Sequence, residues 1–186
     1  MFSGVFKSNK MKKLKQITLL ALFVLTVGAA KAQTTTDEVV KEWERAKAYT
    51  KEYLDVMPEA SYSLKPTPQM RSFADQFLHL ADANYAFAAT ATGEKSPLAM
   101  GALEKGTDKS KATVTKDVLA SYDFVIASVK KLTAAQLSEM VKLFGRFDLS
   151  KKQAIDKCFE HQTHHRGQAT VYIRLAGATP PQEKLF

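Results

Sequence analysis

Cysteine is almost missing from this chain: of 186 residues, only Cys158 carries a thiol. No internal disulfide can form, so the fold must rest on apolar packing even in an oxidising compartment. Glycine and proline are sparse, eight and six residues. From Lys151 to Arg166 there is neither, which leaves a long uninterrupted stretch for helix. Basic clusters are absent from most of the chain as well. Lys7, Lys10, Lys12, Lys13, Lys15 and Lys31 all precede residue 33, in a stretch without acids, so the formal net charge of +8 falls to +2 for residues 33–186, with 21 basic against 19 acidic side chains. A nearly balanced remainder with no basic block carries no signature of nucleic-acid binding.

The first 32 residues read as an export signal. Lys10, Lys12, Lys13 and Lys15 form a basic lead, Ile17 to Ala30 is apolar, and Ala30-Lys31-Ala32 matches an A-x-A cleavage site. The apolar run is short of the ~20 residues that span a bilayer, and no cysteine follows it for acylation. The expectation is a signal peptide over 1–32, a mature domain over 33–186 beginning at Gln33, a periplasmic or extracellular location, and no stable membrane anchor.

The mature part has the periodicity of four helices. Thr36 or Asp37 can cap the first, which carries Val39, Val40, Trp43, Ala46, Thr50, Tyr53, Leu54 and Met57 at helical spacing before Pro58. A proline-rich loop to Pro68 leads into a second helix from about Gln69 to Thr92, stopped by Gly93. There Phe73, Phe77, Leu80 and Phe87 share one side, while His79 sits among Ser72, Asp75, Gln76, Asp82, Ala83, Ala86 and Thr90. That face is either solvated or the wall of a cavity between helices, in which case Asp75 or Asp82 can orient the imidazole. Gly93 to Ser110 reads as a mobile connector. A third helix follows over Lys111–Leu132, and then Leu137 to Leu149, broken by Gly145-Arg146, reads as a hairpin or an irregular turn. Ser150 can cap the last helix, which ends near Gly177.

On that last helix Ala154, Cys158, His161, His165, Gln168, Tyr172 and Ala176 form one stripe, so two imidazoles one turn apart face inward. Two stacked buried imidazoles cannot both be charged, and each ring nitrogen needs a partner. A shared metal ion meets that demand; a pair of core histidines satisfied by hydrogen bonds meets it too. His164 lies off the stripe, suited to a supporting or solvated role. Arg166 projects about 100° from His165 and reads as a solvated or salt-bridged group rather than an anion contact at the cavity rim. Gly167, which costs about 1 kcal/mol relative to alanine in a helix, points to close approach of another helix, from this chain or a dimer partner. Cys158 is a small core residue rather than a nucleophile. With His79 on the second helix, three imidazoles can converge within an all-α four-helix bundle, leaving coordination positions open for substrate.

The string HQTHHRGQ from His161 to Gln168, followed by Tyr172, Arg174 and Gly177, together with a histidine early in the second helix and the run from Leu64 to Pro68 before it, resembles the DinB-like (DinB/YfiT) metal-binding bundles over essentially all of the mature chain. The resemblance implies the family's unusual helix connectivity, frequently a homodimer, and a divalent metal on His79, His161 and His165. Asp82, His164, Gln168 and Tyr172 are then pocket or supporting candidates. Nickel or zinc leads on ligand type, with iron and manganese behind. Members with assigned chemistry resemble transferases or isomerases that use a low-molecular-weight thiol with a small-molecule electrophile. A metal-dependent hydrolase and a non-catalytic metal or small-ligand binding module are the alternatives, because export removes a protein from cytosolic thiols. A zincin is excluded by Gln162 where a glutamate base is needed, a di-iron carboxylate bundle by the lack of paired Glu-x-x-His motifs, and no groove-reading motif supports nucleic-acid binding. Intact-mass analysis of protein recovered from producing cells should show a chain beginning at Gln33; retention of residues 1–32 on most molecules overturns the signal reading.

Overall fold

The structure, a computed structural model, describes residues 35–186, so the expected signal segment lies outside the described residues. Four helices, α1 Thr36–Val56, α2 Phe73–Thr92, α3 Lys111–Lys130 and α4 Lys151–Leu175, form the bundle. Two short strands, β1 Met140–Leu143 and β2 Phe147–Ser150, pair antiparallel just before α4. This is the all-α bundle with an insert before its last helix that the sequence led us to expect. Among the described residues no helix is long and apolar enough to cross a membrane.

Local chemistry accounts for each boundary. The cap of α1 is Thr35, one residue before the expected Thr36 or Asp37: the Thr35 hydroxyl accepts from the Glu38 amide at 3.2 Å, and the Glu38 carboxylate accepts from the Thr35 amide at 2.9 Å. Only Thr35 has a glutamate three positions on, which makes the reciprocal box available to it alone. α2 starts at Phe73 rather than near Gln69 because Ser72 caps it, while the Phe73 and Ala74 amides donate to the carbonyls of Leu64 and Tyr62 and tie the proline-rich loop back. Gly93 closes α2 with φ 82°, a conformation that costs a side-chain-bearing residue. The insert is a hairpin, its turn made by Phe144 and Gly145 with φ 51° and 68°. Phe144 accepts that backbone because its ring packs on Phe87, centroids 4.8 Å apart. Ser150 and Gln153 form the box that starts α4.

The helices do not pack in chain order. α1 and α2 each pack on both α3 and α4, so the two consecutive helices α1 and α2 lie across the bundle from each other. Two consequences follow. α2 lies beside α4, which brings His79 to His161 and His165, and α4 has neighbours on two sides. Its buried residues are therefore Ala154, Ile155, Cys158, Gln162, His165, Arg166, Ala169, Tyr172 and Ile173, a face wider than the expected stripe and turned toward the following position, leaving His161 and Gln168 half-buried at its edge. Trp43, Tyr122, Tyr172, Phe73 and Phe77 fill the interior, with the Trp43 indole edge-on to Tyr122 and Phe159. Among the described residues Gly167 faces no close helix, since a Cβ there would meet no atom within 4 Å.

The core also contains a polar knot. Tyr122 shares a 2.8 Å bond with the Thr50 hydroxyl and donates to Gln162 Oε1 at 2.9 Å, and Arg166 Nη1 donates to the same oxygen at 2.9 Å. Gln162 is fully buried, and its loss removes the acceptor of two bonds at once, leaving Arg166 its longer contacts to Thr50 and Ala46, whereas removing the Tyr122 hydroxyl takes away the link between Thr50 and Gln162. Urea unfolding should show Gln162→Leu destabilised by about 2–3 kcal/mol and Tyr122→Phe by about 1 kcal/mol; equal midpoints for both variants and wild type would mean the knot holds nothing.

Candidate metal centre

His79 sits two turns into α2, and His161 and His165 occupy successive turns of α4. The ring centroids are 4.3 Å apart for His161 and His165, 4.7 Å for His79 and His165, and 5.3 Å for His79 and His161. One candidate ligand atom from each lies within 4.8 Å of the other two. The cluster is half-open: His165 is buried, while the His79 side chain is 29% exposed.

Each ring is held differently. His79 Nδ1 lies 3.1 Å from Glu104 Oε2, so the carboxylate accepts from Nδ1–H, and in the neutral ring the lone pair is then on Nε2. His165 Nδ1 is 2.9 Å from the Gln76 amide. Gln76 is in turn bonded to Gln168, and Gln168 reaches His164 Nε2 at 2.8 Å. Because a carboxamide presents a donor or an acceptor according to its orientation, this Gln76–Gln168–His164 chain is satisfied in either polarity. With the Gln76 oxygen toward His165, the ring keeps its proton on Nδ1 and its lone pair on Nε2. His161 is the unsatisfied member. Its Nε2 faces His165 Nε2 at 3.1 Å, and among the described residues its buried Nδ1 has no partner.

Burial above all, followed by the neighbouring imidazoles and Arg71, lowers the pKa of His165 to about 3; burial, His79, His164 and Arg71 lower that of His161 to about 4. Both rings are thus neutral at ordinary pH. A neutral pair with facing nitrogens can share one proton or one cation, and a divalent ion suits three neutral nitrogen donors with one open side. The residues present fit a metal.

The structure corrects several expectations. Asp82 does not touch His79; its two carboxylate oxygens accept from the amides of Leu103 at 3.1 Å and Glu104 at 2.9 Å. Asp75 is also elsewhere, paired with Lys109 and bonded to Ser72. The connector expected to be mobile is therefore docked onto α2, and the acid that supports His79 comes from it. Burial pushes the Glu104 carboxyl up, but its bonds from Arg71, at 2.6 Å, and His79 outweigh that and hold its pKa below the usual value. Tyr172 lies beneath the site rather than in it, donating to the Arg71 carbonyl at 2.9 Å. His164 is exposed and Gln168 half-buried; Gln168 joins the cluster through the amide chain, and His164 through that chain and an edge-on contact with the His165 ring, centroids 5.0 Å apart. Arg166 is neither solvated nor ion-paired: it is 5% exposed and stacked over Tyr49. Cys158 is buried, 3.6 Å from Asn84 Oδ1, and burial pushes its thiol pKa up, consistent with a core role. Sequence reasoning missed Gln76 and Glu104. Gln76 stood on the same α2 face as His79; nothing in the pattern marked Glu104.

The sequence profile of the DinB family matches residues 32–185. The Bacillus subtilis (strain 168) protein YjoA, itself uncharacterised, is 25% identical over 148 residues, covering 77% of this chain and 92% of that one. Two crystal structures are similar in fold. A DinB-like protein from Bacillus cereus ATCC 10987 gives a TM-score of 0.72 at 22% identity, with 82% of this chain and 99% of that one covered. YjoA gives 0.63 at 21% identity, with 78% and 96% covered.

The lowered histidine pKa values fix a sign. In the unfolded chain these rings titrate near the ordinary value of about 6.5, so unfolding takes up protons below that pH. The stability they contribute is full above about 6.5 and is lost as pH falls toward the folded values. In metal-free protein the urea midpoint should fall between about pH 7 and 5, before the carboxylates titrate, and His165→Gln should flatten that fall. A midpoint independent of pH over this window contradicts the neutral pair.

Proposed function

The chain belongs to the DinB family, and we propose that it binds one divalent transition-metal ion through His79, His161 and His165 and uses it in an exported, metal-dependent reaction. The observation that carries the reading is the His161–His165 contact, with Nε2 atoms 3.1 Å apart, a third imidazole beside them and a buried His161 nitrogen without a partner. Nickel or zinc is the expected ion, since neutral imidazoles without thiolate or carboxylate ligands suit both. Iron and manganese are less suited to an all-imidazole set.

Such an ion, when bound, lowers the pKa of a coordinated thiol or water and polarises an electrophile. The rest is the chain's own work. Glu104 keeps the His79 proton on Nδ1, and Asp82 holds Glu104 in place through the connector backbone. Gln76 orients His165. Phe87, its ring centroid 5.8 Å from that of His161 and backed by Phe144, gives one side of the site an apolar wall. Among the described residues no serine or cysteine nucleophile stands with these groups: Cys158 is buried against Asn84, and Glu104 is committed to Arg71 and His79. The nucleophile therefore comes from outside the protein. A thiol-dependent transferase, acting with a low-molecular-weight thiol on a small electrophile, is the activity we favour, in a homodimer as the family resemblance implies. Export, read from the first 32 residues, favours the second reading, a hydrolase.

After growth with added nickel and zinc, elemental analysis should find about one ion per chain in wild type and a sharp loss in His79→Ala, His161→Ala and His165→Ala, each retaining its helical circular dichroism. The same metal content in all four proteins, or none in any, sinks the assignment. With metal-loaded wild type, conjugation of electrophiles that requires an added thiol and vanishes in His165→Ala supports the transferase, and thiol-independent ester or amide turnover supports the hydrolase.

A further inference from the structure

On the side of α4 away from the imidazoles, between α1 and the C-terminal segment, lies a second pocket of about 630 Å³. Arg166, Thr170 and Arg174, at successive turns of α4, line it together with Tyr53, Thr163 and Glu183. Pro180, Pro181 and Leu185 contribute its apolar side. The C-terminal segment is fastened across α1 by the Arg45 guanidinium, which donates to the Lys184 carbonyl at 2.6 Å, and by the Lys184–Glu52 ion pair.

The cation in its lining is unusual. Arg166 is 5% exposed, and a guanidinium keeps its charge at any pH a protein survives. Its hydrogen bonds go to neutral acceptors, Gln162 Oε1 at 2.9 Å, the Thr50 hydroxyl at 3.3 Å and the Ala46 carbonyl at 3.4 Å. Its flat face lies 4.5 Å from the centroid of the Tyr49 ring. Among the described residues no carboxylate comes within ion-pair distance of it, although twelve lysine or arginine ion pairs form elsewhere. A desolvated charge without an opposite charge is costly, and here neutral dipoles and one π face carry the whole compensation. Around it the pocket offers a second guanidinium and the hydroxyls of Tyr53, Thr163 and Thr170. Tyr53 and Thr170 are bonded to each other at 3.1 Å, and each hydroxyl retains capacity for a further partner. Glu183, the one acid in the lining, is exposed and pairs with neither arginine.

We propose that this pocket binds a small organic oxyanion, a carboxylate or phosphate head on a short apolar body, with the head toward Arg166 and Arg174 and the body against Pro180, Pro181 and Leu185. Guanidinium forks match the paired oxygens of both head groups. Glu183 competes for the same cations and tunes the affinity. The site is separate from the histidine cluster: His165 turns toward α2 and Arg166 toward α1, so the two open on different sides of α4.

The test is a titration of ¹⁵N-labelled protein with benzoate, phenyl phosphate and neutral benzyl alcohol, following the amides of Gly167, Thr170 and Arg174. Saturable shifts with one or both anions and none with benzyl alcohol are expected, and the stronger of the two identifies the head group. Arg174→Gln, on an exposed position that spares the fold, and Arg166→Lys, which keeps the charge but removes the fork, should each weaken binding on the order of tenfold. Glu183→Gln should tighten it, and His165→Ala should leave it unchanged. Shifts of equal size with benzyl alcohol, wild-type affinity in both arginine variants, or loss of binding in His165→Ala would each overturn the proposal.

Discussion

Two imidazole nitrogens 3.1 Å apart constrain everything built around them. If both rings were protonated the pair would fly apart; if both presented lone pairs the contact would be repulsive. The site holds this geometry either as a neutral hydrogen bond, one ring donating Nε2–H to the lone pair of the other, or with one cation shared between two lone pairs, and burial that lowers both pKa values keeps a second proton off the pair. A bundle that places His79 beside this pair has therefore assembled neutral nitrogen donors without any carboxylate in direct contact with the α4 histidines. That composition sets the electrostatics of whatever binds: the charge of a divalent ion would stay largely uncompensated by its ligands, which favours bringing an anionic nucleophile to it.

The support of the third ring runs through backbone rather than through a neighbouring turn. Asp82 lies less than one turn from His79 on α2, near enough in sequence to bond it directly. It instead accepts two connector amides, and this fixes Glu104 where it can meet Nδ1 of His79 and the guanidinium of Arg71. Tyr172 on α4 then holds the Arg71 carbonyl. The segment before α2, the connector after it and α4 are thus joined at one point under the cluster. A glycine- and lysine-rich connector becomes ordered here because polar groups on α2 and its flank collect two of its amides and the carboxylate of Glu104.

How much of this could be read beforehand differs by element. The caps were legible, since Ser150 and Gln153 announce α4 and Gly93 ends α2 by chemistry confined to a few neighbouring residues. So was the i, i+4 histidine pair. Glu104 was not, because its partner is 25 residues away and it sits in a segment with no periodicity to place it. Arg166 shows a different failure. Its angle from His165 correctly removed it from the cluster, but an amphipathic helix is read as one buried face and one wet face, and α4 has two packed faces because α1 and α2 sit diagonally across the bundle. Helical angle alone cannot say that the second side is covered.

The same diagonal arrangement explains why the cluster is held rigidly at the edge of the core. His161 and His165 are each followed by the residue that anchors the other side of α4, Gln162 and Arg166. Apolar packing resists separation of helices but is nearly indifferent to a small rotation of one about its axis, since burial is non-directional. Hydrogen bonds are directional. Gln162 and Arg166 are bonded to Tyr122 and Thr50 on α3 and α1, and His165 is bonded to Gln76 on α2. A rotation of α4 that relaxed one set would stretch the other. The orientation of the imidazoles is consequently fixed by polar bonds on two opposite sides of a single helix. The buried arginine, costly as an isolated charge, is one of the groups that fixes it.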